Sequence, residues 1–209
     1  MEKATDDEPR TVIGQPYSQY SRFETDFRYY YKVGRESKIA TRLIAGVGIP
    51  FGNSSTLPYV KQFTIGGTNS IRAFRARSIG PGTYKIPDEL VQSFFDQTGD
   101  IKLETNIEYR FPISGFFKGA LFVDAGNIWL LKESADRPGG EFKASDFLNE
   151  LAVGTGFGLR VDVEFFVLRF DFGIPVRVPY EGGRNVISDF SPGLGDNGFV
   201  LNIAVGYPF

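Results

Sequence analysis

The sequence predicts an all-β fold, an antiparallel transmembrane β-barrel of which this chain supplies seven strands, and three patterns carry that prediction. Seven strand-length segments keep bulky apolar residues on one parity and small or polar residues on the other. The connections between them alternate short, long, short, long, short, long, as outer-membrane barrels do. The last segment, 199–209, places Phe199, Leu201, Ile203, Val205, Tyr207 and Phe209 on one side and ends on an aromatic. Its length matches the roughly 9–11 residues of a tilted bilayer-crossing strand. Aromatic side chains collect at membrane–water interfaces, and the final phenylalanine is expected there.

The elements follow in order. Residues 1–17 are a polar, acidic lead-in without the basic and apolar regions of a signal peptide, so a longer precursor is expected. The barrel segment is 18–209. Segment 18–32 sets Phe23, Phe27, Tyr29 and Tyr31 against Arg22, Glu24, Asp26 and Arg28. Segment 38–51 sets Ile39, Leu43, Val47 and Ile49 against Arg42, Gly46 and Gly48. After the long connection 52–100, segment 101–111 opposes Ile101, Leu103, Ile107, Tyr109 and Phe111 to Lys102, Glu104, Asn106, Glu108 and Arg110. Segment Phe117–Trp129 opposes Leu121, Val123 and Trp129 to Phe122, Asp124 and Gly126. Connection 130–150 leads to 151–161, with Val153, Phe157 and Leu159 against Gly154, Gly156, Gly158 and Arg160. Segment 165–176 sets Phe166, Leu168, Phe170 and Phe172 against Arg169, Asp171 and Gly173, and connection 179–197 precedes the last strand. Charged residues in mid-strand suit a wet lumen. An open seven-stranded edge is not tolerated in lipid, so further strands are expected before Met1.

Composition narrows the chemistry. Histidine and cysteine are absent, which removes disulfides, thiol catalysis, the usual zinc sites and any Ser-His-Asp triad. No catalytic residue, metal or cofactor is expected, and a barrel phospholipase is disfavoured on the same ground. A net charge of -2 gives nucleic-acid binding no electrostatic support. Gly154, Gly156 and Gly158 lie at period 2 within a strand and not before a helix, so lumen-facing smallness is favoured over a phosphate loop. Solvated loop charge is the plainer reading of Arg75 and Arg77, and an interface girdle that of Tyr29–Tyr31.

Residues 66–82, GGTNSIRAFRARSIGPG, resemble the long sixth loop of the BamA/TamA family of outer-membrane assembly and translocation barrels. The match comprises the tip residues Gly66, Gly67, Ile71, Arg72 and Phe74, then Gly80 and Pro81. Ala73 stands where the family usually has glycine, and a left-handed turn there would penalise alanine. NIEYRFP at 106–112, FVDAGNIW at 122–129 and the segment 156–176 are similar to family strands in family order.

The resemblance implies that these are strands ten to sixteen of a sixteen-stranded barrel in the bacterial outer membrane. It implies that the loop 52–100 is extracellular and folds into the lumen, with Arg72 latched to Glu108 and Asp124. Gly206, Tyr207 and Phe209 then end the strand that forms one side of a lateral seam, and Pro208 weakens its pairing. The implied function is insertion or translocation of client outer-membrane proteins by strand augmentation at that seam. The implied partners are the lipid bilayer, client proteins, upstream periplasmic domains and accessory assembly subunits. A two-partner-secretion transporter or a passive pore is the alternative, and the BamA-like and TamA-like branches stay unseparated.

Overall fold

The computed structural model describes residues 10–87, 96–163, 165–180, 184–189, 191, 193 and 198–209. Two short strands, β1 (Thr11–Val12) and β2 (Gln15–Pro16), pair as a hairpin within the stretch read as lead-in. Segments this short carry no period and leave no trace in a sequence pattern. The Asn53 side chain ties the hairpin down, accepting from Arg10 N at 2.6 Å and donating to the carbonyls of Arg10 and Tyr17.

The remaining strands form one antiparallel meander in sequence order. They are β3 (Tyr20–Lys32), β4 (Lys38–Pro50), β5 (Ile101–Ser114), β6 (Phe117–Trp129), β7 (Ala152–Val163), β8 (Phe166–Arg177) and β9 (Val200–Val205). β5 runs past the predicted end at 111 because the ladder shifts register between Pro112 and Ser114, which accommodates a proline without an N–H. β9 is shorter than predicted: Gly206, at φ 87°, turns the chain out of the strand after one last bond from its N–H to Val167 O, 2.7 Å.

Apolar and polar residues alternate along the meander, and from β4 to β9 the burial is the inverse of a soluble sandwich, whereas β3 is exposed on both faces. Phe23, Phe27, Val123 and Ile203 are exposed, whereas Glu104, Glu108, Asp124, Arg160, Arg169 and Asp171 are each 0% exposed. Aromatic residues crowd the short-turn end, where Phe116 lies 4.5 Å from Phe117 and Phe165 lies 5.5 Å from Phe166 between ring centroids. An aromatic band bounding an apolar face is the signature of a wall facing lipid.

What covers the polar face is the connection between β4 and β5. Its Phe63, Ile65, Ile71 and Ile79 join Ile128 and Ala152 in an apolar cluster at the long-loop end. Gly46 and Gly48 of β4 make room: a Cβ on them would stand 2.6 Å from Phe63 and 2.4 Å from Leu57.

Candidate functional site: a loop tip on a charged wall

The tip of the long connection is closed on itself before it touches the wall. Arg77 N donates to Ile65 O at 2.9 Å, Gly67 N to Phe74 O at 2.9 Å, and Phe74 N to Ile71 O at 3.1 Å. Gly66 and Gly67 sit at φ 97° and 93°, and a Cβ at Gly66 would come within 2.3 Å of Arg75 O. Only glycine serves there. Ile71 is buried in the apolar cluster, and Phe74 packs against it. Gly80 packs against Ile128 and Asn127, with Pro81 following it, buried as well.

Beyond this apolar anchor stands Arg72, fully buried. Its guanidinium forks onto Asp124, with Nε to Oδ2 at 2.8 Å and Nη2 to Oδ1 at 2.9 Å, while Nη1 bonds Glu108 Oε2. The Arg72 main-chain N–H also donates to Asp124, at 3.1 Å. Phe122 lies beneath, its ring centroid 3.6 Å from the Arg72 Cζ. Two parallel charge-assisted bonds and a stacked ring are arginine-specific; a lysine ammonium reproduces neither.

The structure therefore brings together Arg72, Glu108 and Asp124. It adds side chains whose parity is legible in the sequence but whose role is not. Glu108 also accepts from Arg110 Nε at 2.6 Å and from Arg160 Nη2 at 3.2 Å. Asp171 sits among Arg160 at 2.5 Å, Arg169 at 3.3 Å and Arg72 at 3.7 Å. Arg169 reaches the loop itself, donating to Thr68 O at 3.0 Å and Asn69 Oδ1 at 2.7 Å. Asn106 bridges Ser70 O and Asp124 Oδ1, both at 3.0 Å, and Ser70 donates to Glu104 at 2.6 Å. The buried acids face arginines, lysine and hydroxyl or amide donors. Among the described residues no group of acidic side chains is placed to hold a metal ion.

Ala73 does not take the left-handed turn its family position suggests, since the non-glycine residues at positive φ are Ile13 and Arg77. Its methyl is accommodated by the wall. A Cβ on Gly154 would stand 2.3 Å from the Ala73 Cβ, and one on Gly173 2.7 Å from the Ala73 Cα. Gly154 of β7 and Gly173 of β8 are thus a footprint of the tip. Gly154→Ala is expected to lift the tip, raising hydrogen exchange at residues 71–74, and Ala73→Gly in the same chain is expected to restore it. Unchanged exchange in Gly154→Ala would remove this steric account.

At the chain's end the structure corrects the lipid-facing reading of Tyr207 and Phe209. Once Gly206 breaks the strand, parity stops applying. Tyr207 donates its hydroxyl to Asp162 at 3.0 Å, and Phe209 is 7% exposed, with its main-chain oxygen accepting from Arg110 at 3.1 Å. Both rings lie near the Arg110 guanidinium, at 4.4 Å and 5.5 Å from its Cζ, a cation–π attraction that lipid could not offer. In the loop, Arg77 is half-exposed and ion-paired with Asp96 at 2.5 Å. The Tyr59 hydroxyl and Arg77 together hold the Asp96 carboxyl below its ordinary range. Burial pushes the Tyr180 phenol up to about 12.

A meander with an apolar outer face, a charged inner face and an inward-packed loop defines a class: the wall of an outer-membrane β-barrel. Residues 8–197 match the Omp85 superfamily domain, and the chain belongs to that superfamily. Over 162 residues it is 26% identical to the outer membrane protein assembly factor BamA of Neisseria meningitidis serogroup B, covering 68% of this chain and 20% of that protein. The chain thus spans one fifth of that relative's length. The crystal structure of BamA from Haemophilus ducreyi lacking POTRA domains 1-3 superposes with a TM-score of 0.60 at 23% identity, covering 80% of this chain and 33% of that one. At that identity the likeness shows the fold.

Proposed function

We propose that this chain is the carboxy-terminal barrel segment, strands ten to sixteen of sixteen, of an outer-membrane assembly or translocation factor. The polar face is then the lumen, the long connections are extracellular, and the loop 52–100 occupies the lumen with Arg72 as its latch. The observation that carries this reading is the buried Arg72 fork on Asp124, with Glu108 beside it. A passive pore gains nothing from a loop locked across its lumen by desolvated charges. A protein whose loop and wall move between states gains a defined closed state.

In this reading β9 lends its edge to a client strand, because unpaired N–H and C=O groups in lipid are costly and augmentation satisfies them. β9 has few bonds to exchange: it is six residues long, against thirteen for β3, β4 and β6. Client outer-membrane proteins, periplasmic domains and accessory subunits are the partners, and the role is non-enzymatic. The test is the full-length protein in liposomes. Faster folding of a client barrel than in empty liposomes is the expected result. Ion conductance without any acceleration of client folding would establish the pore or transporter instead.

A further inference from the structure

The last strand is attached to the loop tip as well as to its neighbour β8. Asn202, 6% exposed on the polar face of β9, donates its amide to the main-chain oxygen of Arg72 at 2.8 Å. Gly173 of β8 leaves the space this carbonyl occupies, since a Cβ there would lie 2.6 Å from it. A second tie runs through the strand's end: Phe209 O accepts from Arg110, Arg110 binds one oxygen of Glu108, and Arg72 binds the other. A third comes from the connection that leads into β9, where the half-buried Tyr180 donates its hydroxyl to Ser78 O at 3.1 Å.

We propose that Asn202 is a positioning residue that braces β9 to the seated loop tip, so that seating of the loop and pairing of the terminal strand stabilise one another. The physical reason is the asymmetry of β9. Among the described residues it is hydrogen-bonded along one edge only, to β8 over six residues. A single buried bond from its polar face is therefore a large share of what fixes its position. When the tip withdraws, the Asn202 amide loses Arg72 O and keeps only a 3.4 Å bond to Val200 O of its own strand, and the Phe209 tie loses the Glu108–Arg72 link. The seam strand then rests on the β8 ladder, with Tyr207 on Asp162 and Phe209 on Arg110 holding only its end. Coupling of this kind is reciprocal: the factor by which a seated tip favours β9 pairing is the factor by which a paired β9 favours seating of the tip.

The bearing of this brace on clients rests on the proposed reading of β9 as one side of the seam; the brace itself does not. The test is hydrogen exchange on the full-length protein in lipid nanodiscs. Asn202→Leu is expected to speed exchange about tenfold, within the usual range of such couplings, both at 201–206 and at the tip 71–74. β5 and β6 should be unchanged. Gly154→Ala, which displaces the tip without touching β9, should speed exchange at 201–206, and the double variant should add little. Should Asn202→Leu fail to fold, Asn202→Ser, too short to reach the carbonyl, takes its place. Faster exchange in β9 with an undisturbed tip, or an undisturbed β9 in Gly154→Ala, overturns the proposal. Client insertion is measured separately, so intact coupling without insertion would refute the assembly reading and leave the brace standing.

Discussion

Arg72→Ala is expected to cost about 3–5 kcal/mol, the usual loss when one partner of a buried ion pair is removed. The loss falls unevenly. Glu108 keeps Arg110 and Arg160, whereas Asp124 keeps the Asn106 amide and the main-chain N–H of residue 72 but no cation among the bonds described for it. The uncompensated charge therefore sits at Asp124. Two consequences separate this account from a general loss of fit. Asp124→Asn should recover part of the stability lost in Arg72→Ala, and Asp124→Ala combined with Arg72→Ala should be less than additive. The check is the temperature at which the full-length barrel loses its compact, heat-resistant mobility on gels, for each single and the double. Arg72→Lys should behave more like alanine than like arginine, because one ammonium cannot serve both Asp124 oxygens and Glu108. Additive losses would mean that Arg72 and Asp124 act separately and that no latch exists.

The second large effect is on the opposite face. Val123 lies midway along β6 and is 48% exposed, so Val123→Arg puts a cation near the bilayer midplane at about 2–4 kcal/mol. Leu168 and Val205 share that face but pair with one another near the short-turn end of β8. Arginine at either should cost about 0–1 kcal/mol, as it does near the interface. Outer-membrane levels of the three variants in the full-length protein should therefore fall most for position 123. Equal levels, or the reverse order, would put the apolar face somewhere other than against lipid.

That face is legible in the sequence because strand parity is a property of the chain. Phe23, Val123, Leu201 and Ile203 need only their neighbours to be assigned a side. The same parity puts Glu108, Asp124, Arg160 and Asp171 together on the other side. It does not say which of them touch, because contact across strands depends on register, and register is set by turns and by shifts such as the one at Pro112. The grouping of Arg72 with Glu108 and Asp124 comes from family resemblance and not from spacing. Asn202 carries no signal of its own, because a lone polar residue on a lumen-facing parity looks like any other. Parity misplaces Phe209 for a plainer reason: alternation does not pass through Gly206, whose φ of 87° ends it. Ala73 looks like a defect when considered alone, and its explanation lies on another strand, at Gly154.

The inner cluster has a property that bears on how a locked loop could ever leave. Without Arg72, the wall residues of the cluster are Lys102, Arg110, Arg160 and Arg169 against Glu104, Glu108, Asp124 and Asp171, four cations and four anions. The wall is electroneutral by itself. An incoming arginine adds one positive charge that several carboxylates share, and a departing one leaves no large net field behind. Water entering the vacated space would solvate eight charges that already balance. Hydration can then offset much of what the lost fork contributed, making release a matter of wetting, and tying the loop's residence to how readily water reaches the lumen.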